Sequence, residues 1–297
     1  MKYLTKEWLN TELLSYTYSQ IKISKKTEKY DEGYYQKLYK KICKLYIAAE
    51  RGEELYQDPQ EELRKIEESI AEPNITEEER AKRIRYKRDF ISLNADRIKR
   101  GTYFKFDEKV VEQDFAVKIQ QDIELYKKLP QEILCKIADL RVFALGYTSV
   151  EVKKLLKPYC AEQERISRRL RKIAQEETEK AEAHLSEDIG INDCTDTVIL
   201  GIREKQEGIY IDVDLGGTLF VENGKIIEQE LKEVYRWNPH IPNSGLSIIL
   251  ASELHYTNEK FELHFLIENV NEKNESQVGY LTLRGTDIKE IVTSEEV

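Results

Sequence analysis

The stretch LSIILASELHYTNEKFELHFLIE (residues 246–268) carries two of the chain's four histidines, each next but one to a glutamate, in two alternating apolar–polar runs. A two- or four-residue connection within Thr257–Lys260 makes these runs a β-hairpin. Glu253 then faces His264 and His255 faces Glu262 on one side of the sheet. On the other side Leu254 faces Leu263 and Tyr256 faces Phe261, so the apolar face is self-consistent; a connection of different parity would break the pairing. Directly opposed Cβ atoms lie about 4.5–5.5 Å apart. Two imidazoles and two carboxylates at that spacing can hold a divalent metal or exchange protons as general acid and base. The same four residues can equally form two cross-strand ion pairs. Glu253, His255, Glu262 and His264 are thus the candidate metal ligands; no catalytic residue is assigned, and no cofactor is expected beyond that divalent metal.

Two other strings invite a chemical reading. DVDLGGTLF (Asp212–Phe220) resembles the phosphate turn of actin-like sugar kinases and the D-x-D-G-T-L strand of certain phosphatases. Too little chain follows for the first, and the second has no alternation of strand and helix behind it, so a glycine-containing β-turn is expected. LRVFALGYTSVEVKKLL has the helix–glycine–helix form of a DNA-reading element, and residues 140–172 hold 9 basic and 3 acidic side chains. A DNA-binding regulator acting through 139–172 is therefore a further alternative, beside a plain helix corner. The chain lacks a glycine-rich phosphate loop with lysine, G-x-S-x-G and H-E-x-x-H, the strings that announce phosphoryl or hydrolytic chemistry.

The elements that must position these residues divide the chain. Helical periodicity predicts helices over about Thr5–Ile23 and Asp31–Tyr56, the second with Tyr35, Tyr39, Ile42 and Tyr46 on one stripe. Residues 53–79 hold 11 acidic and 2 basic side chains and residues 80–100 hold 9 basic and 2 acidic. This predicts a charge-matched helical hairpin turning at Pro73-Asn74, its second helix opened by a Thr76/Glu79 capping box. Asp107 is expected to cap a helix with Val111, Phe115, Ile119 and Tyr126 inward. Pro130 is expected to open a helix ending at Gly146, Thr148/Glu151 to cap a short one, and Pro158 to open a last one to about Leu185. From about Thr197 the period shortens to two, and six short runs separated by turn residues predict one small, mostly antiparallel sheet. The expected fold class is α+β: an all-α, multi-helix domain over 1–190 and an acidic β-rich domain over 191–297.

Charge sharpens that division. From Ser186 onward there are 9 Lys+Arg against 22 Asp+Glu, net −13, which leaves the first 185 residues at net +4. Such a C-terminal part repels nucleic acid and anionic lipid. No apolar run approaches the ~20 residues that span a bilayer, and the start MKYLTKEWLN is charged where a signal peptide needs its apolar core. Four scattered cysteines, Cys43, Cys135, Cys160 and Cys194, suit reduced thiols in the cytoplasm.

The opening MKYLTKEW, the middle LPQEILCKIADLRVFALGYTSVEVK and the late KIIEQELK, SELHY and KFELHFLIE together resemble an uncharacterised bacterial domain-of-unknown-function family whose members open Met-Lys-Tyr-Phe-Thr-Lys-Glu-Trp. The resemblance implies a bacterial cytosolic protein and supplies no activity; where those members have a His-Asp-Ser stretch this chain has Asn192-Asp193-Cys194. The expected role is non-enzymatic: a protein–protein interaction protein of immunity or antitoxin type, with a basic protein as partner and neither nucleic acid nor membrane. The alternative is a metal-dependent hydrolase built on the Glu/His cluster.

Overall fold

A computed structural model describes residues 1–52, 58–72, 75–93, 106–186, 194–214, 217–231, 245–271 and 276–292. The fold is α+β, with helices mostly in the N-terminal half and antiparallel sheets in the C-terminal half. The chain forms two compact units, Gln36–Ala116 and a larger one made of Met1–Tyr35 together with Val117–Val297. This differs from a cut at residue 190. The N-terminal residues and a long helix reaching residue 182 bury apolar side chains against the β-strands, so the larger unit is itself part helical.

In the larger unit, α1 (Lys6–Ser15) is capped by Thr5, whose Oγ1 accepts from the Trp8 N–H at 3.3 Å. It does not run on to Ile23. The chain re-forms a single turn at α2 (Thr17–Gln20), then extends at Ile21 into β1 (Lys22–Ile23), which pairs in parallel with β2 (Tyr147–Thr148). Lys153 donates to the carbonyls of Tyr18 and Ile21 at the end of α2, filling acceptors that a helix end leaves unpaired.

The smaller unit contains most of α3 (Glu32–Glu50), then α4 (Pro59–Ala71), α5 (Glu77–Leu93) and the start of α6 (Glu108–Tyr126). The tyrosine stripe is a core edge: Tyr39 and Tyr46 pack on Phe115 at 5.2 and 5.4 Å between ring centroids. The charge-sorted hairpin forms, with Lys87 to Glu67 at 2.7 Å and Arg83 to Glu72 at 3.0 Å. Its capping box is reciprocal, Glu79 N–H to Thr76 Oγ1 at 3.2 Å and Thr76 N–H to Glu79 Oε2 at 3.1 Å. The expected turn at Pro73-Asn74 lies outside the described residues. Asp107 caps α6 through the Lys109 N–H, and Val111, Phe115, Ile119 and Tyr126 are all buried.

Back in the larger unit, the segment after Pro130 is two short helices, α7 (Gln131–Leu134) and α8 (Leu140–Ala144), because Asp139 caps a new helix through the Arg141 N–H. Gly146 follows α8 with φ +83°. The cap of the next helix is Ser149 rather than Thr148, since Thr148 is drawn into β2. That helix, α9 (Val150–Glu182), is continuous for 33 residues with Pro158 inside it. An interior proline costs about 3 kcal/mol. Here Val152, Leu156, Cys160, Ser167, Ala174, Thr178 and Ala181 form one buried stripe running past it, and Pro158 itself lies on the exposed side. Burial of that stripe outweighs the missing bond.

The β-strands form two four-stranded antiparallel sheets rather than one. The first orders β10 (Asp287–Val292), β5 (Gly217–Glu222), β4 (Gly208–Val213) and β3 (Ile199–Lys205); the second orders β6 (Lys225–Gln229), β9 (Ser276–Gly285), β8 (Lys260–Val270) and β7 (Leu246–Thr257). Ile199, Ile211, Val221 and Ile288 from the first meet Leu254, Leu263, Phe265 and Leu283 from the second in one core. The outer face of the second sheet is covered in turn, where Ala251 and Leu266 pack with Leu4, Trp8 and Ala174 of α9. The second sheet is therefore a middle layer, buried on both faces, which explains the long apolar runs of β7 and β8. Among the described residues no helix is long and apolar enough to cross a membrane.

Candidate functional site at the Glu253 cluster

The β7–β8 connection is the two-residue loop Asn258-Glu259, with φ of +52° and +59°. Two successive positive φ values are those of a type I′ turn, whose twist matches the strands it joins. The register is the expected one: Glu253 opposite His264, His255 opposite Glu262, Leu254 opposite Leu263 and Tyr256 opposite Phe261. A register shift between Ile249 and Ala251 lies upstream of these pairs and leaves them intact.

The four side chains share the outer face of the middle sheet, and the N-terminal residues lie over them. Glu253 is 0% exposed. Its Oε1 accepts the N–H groups of Tyr3 at 2.9 Å and Leu4 at 2.5 Å; its Oε2 accepts those of Lys2 at 2.8 Å and of the His255 Nε2 at 3.0 Å. A carboxylate offers about four acceptor positions, and all four are taken. Burial alone would raise the Glu253 carboxyl. The bond from His255 and the three amides outweigh it and hold it down at about 2.

His264 occupies the opposite end of the cluster. Its Nδ1 lies 2.9 Å from the Met1 ammonium and 3.0 Å from Thr282 Oγ1. An ammonium only donates, so Nδ1 is the acceptor and the ring proton sits on Nε2, 3.7 Å from Glu262 Oε2. Burial, then the Met1 ammonium and His255, push His264 down to about 4, against the pull of Glu253 and Glu262. Glu262 is itself lowered: burial opposes this, and the hydrogen bond and charge of Arg284 prevail. The two imidazoles stand edge to face, 5.2 Å apart.

The structure thus brings together all four residues singled out in the sequence, and adds a fifth component with no sequence signal, the amides of Lys2, Tyr3 and Leu4. Among the described residues no group of three or more His, Cys, Asp or Glu is placed to hold a metal ion. Glu253 and His264 hold the N-terminal segment, Glu262 accepts from Arg284, and the Nε2 of His255 is turned to Glu253. The other suspected strings also have structural partners. Asp212 pairs with Arg203 at 2.7 Å and accepts from Thr218 at 2.8 Å, and Asp214 accepts from the Val198 N–H at 3.0 Å. In the helix–glycine–helix string, Phe143, Val152 and Leu156 are buried and the turn is the short strand β2.

No family model, no curated protein and no solved structure matches this chain.

Proposed function

We propose that this is a non-enzymatic interaction protein that takes a basic protein partner, in the manner of immunity or antitoxin proteins, in the bacterial cytosol that its family resemblance implies. The observation that carries the reading is the saturation of Glu253. The cluster with the best claim to chemistry has its central carboxylate engaged in four hydrogen bonds to its own chain, which leaves it no lone pair for a substrate or metal. What the C-terminal part then offers a partner is charge, net −13 from Ser186 onward, which steers association with a basic surface and weakens with salt. The test is affinity capture from the native host at low ionic strength, repeated near 0.5 M salt. Capture of a defined basic protein, lost at high salt, is expected; no specific partner combined with stoichiometric bound metal in the purified protein would overturn the reading.

The alternative, a metal-dependent hydrolase on Glu253, His255, Glu262 and His264, requires residues 1–4 to leave the sheet. Metal analysis of the purified protein and of His264→Ala tests it directly.

A further inference from the structure

On the same outer face of the middle sheet, a cavity of about 420 Å³ that Glu253 does not line opens between α1, α9, β7 and the turn at Thr195-Asp196. The volume falls within the roughly 300–1,000 Å³ of small-molecule sites. Its walls are of three kinds. Leu4, Ala174, Leu250 and Ala251 form an apolar floor, and Trp8 stands beside them, 6% exposed, its indole N–H without a hydrogen-bond partner among the described residues. Arg171 supplies a cation, held by Glu12 at 2.8 Å and lying 5.7 Å over the Trp8 ring. Asp196 supplies an anion from a left-handed backbone position, φ +64°, fixed by its N–H donating to the Ile249 carbonyl at 2.7 Å. Gln175 and Ser252 complete the lining.

We infer that this cavity binds a small zwitterion with an apolar substituent, the chemistry of a free α-amino acid. A cationic residue and an anionic residue in one wall favour a ligand carrying both signs. A purely anionic ligand meets Asp196 and a C-terminal part of net −13. A purely cationic ligand meets Arg171. The floor takes the apolar substituent, with the Trp8 ring beside it. This inference does not depend on the partner reading, and either can fail alone.

Trp8 reports on the site directly. Trp8 and Trp237 are the two tryptophans, so Trp237→Phe leaves Trp8 as the sole indole emitter. The standard free L-amino acids other than tryptophan and tyrosine, titrated into the Trp237→Phe protein to about 10 mM, are expected to divide into two groups. Those with large apolar side chains change Trp8 emission saturably and raise the melting temperature; the charged ones do neither. N-acetylated and carboxyamidated forms of the best binder, each lacking one charge, are expected to bind at least about tenfold more weakly. Asp196→Asn is expected to weaken binding similarly. Gln175→Phe, at an exposed helix position on the rim, tests the same point by blocking the mouth without touching the core. Circular dichroism confirms that each variant folds. No saturable response from any amino acid, or equal binding by the singly charged derivatives, overturns the inference.

Discussion

The Glu253 carboxylate accepts four N–H donors at once, from Lys2, Tyr3, Leu4 and His255. Its position opposite His264 follows from alternation and a two-residue turn alone. What it does depends on three amides about 250 residues away in sequence, and amides carry no side-chain signature. Replacing the carboxylate by an amide leaves one oxygen for four N–H donors and turns an NH2 toward two of them. Glu253→Gln is therefore expected to destabilise the fold by about 3 kcal/mol, measured by urea unfolding; a loss below about 1 kcal/mol would show that the fastening is dispensable. The two depressed groups also separate in pH. His264 titrates near 4 when folded and near its ordinary 6.5 when unfolded. Its neutral form is the one the fold favours, so its contribution is complete above pH 6.5 and is lost as pH falls toward 4. Glu253 contributes fully above its ordinary 4.5 and loses that contribution only as pH falls toward 2. Unfolding free energies between pH 7 and 4 are expected to fall for the wild type and to flatten for His264→Gln. Parallel curves would remove His264 as the cause.

At the level of elements, what could be read early was whatever is specified locally. The Thr76/Glu79 box, the Asp107 cap and the β7–β8 register each depend on residues within one turn or one hairpin, and each forms. Misreadings arose where a distant contact overrode a local signal. Pro158 reads as a helix start until the buried stripe from Val152 to Ala181 is known. Thr148 reads as a cap until β1 claims it. Alternation alone does not show a second sheet, because β5 begins at the glycines of the DVDLGGTLF string and β10 is a short edge strand, Asp287–Val292. Two substitutions test this balance. Pro158→Ala restores a hydrogen bond to the Lys154 carbonyl without disturbing a buried contact, and is expected to stabilise by about 1–3 kcal/mol. Glu259→Gly relieves a non-glycine residue at positive φ in the type I′ turn and is expected to add up to about 1 kcal/mol. Both are read from thermal melts, and a lower melting temperature for either would show that the native residue holds a compensating contact.

The molecule as a whole is not the simple succession of a helical half and a β half that its composition suggests. The β-strands need residues from both ends of the chain, because the middle sheet has apolar side chains on each face. Leu4, Trp8 and Ala174 cover Ala251 and Leu266. A fragment beginning at residue 191 lacks that cover and is expected to aggregate or to stay unfolded when expressed alone, judged by circular dichroism and size exclusion. Adding residues 1–190 in trans is expected to recover folded material. A well-folded, monomeric 191–297 fragment would contradict the layer arrangement.

Synthesis of the chain gives the Glu253 fastening a temporal meaning. Lys2 to Leu4 leave the ribosome some 250 residues before the carboxylate that receives them. That segment cannot reach its resting place until the β7–β8 hairpin has emerged, and the apolar side chains of Leu4 and Trp8 wait with it. Completion of the larger unit thus closes a loop of very high sequence separation, the kind of step that folds slowly and leaves apolar surface open to chaperones in the interval.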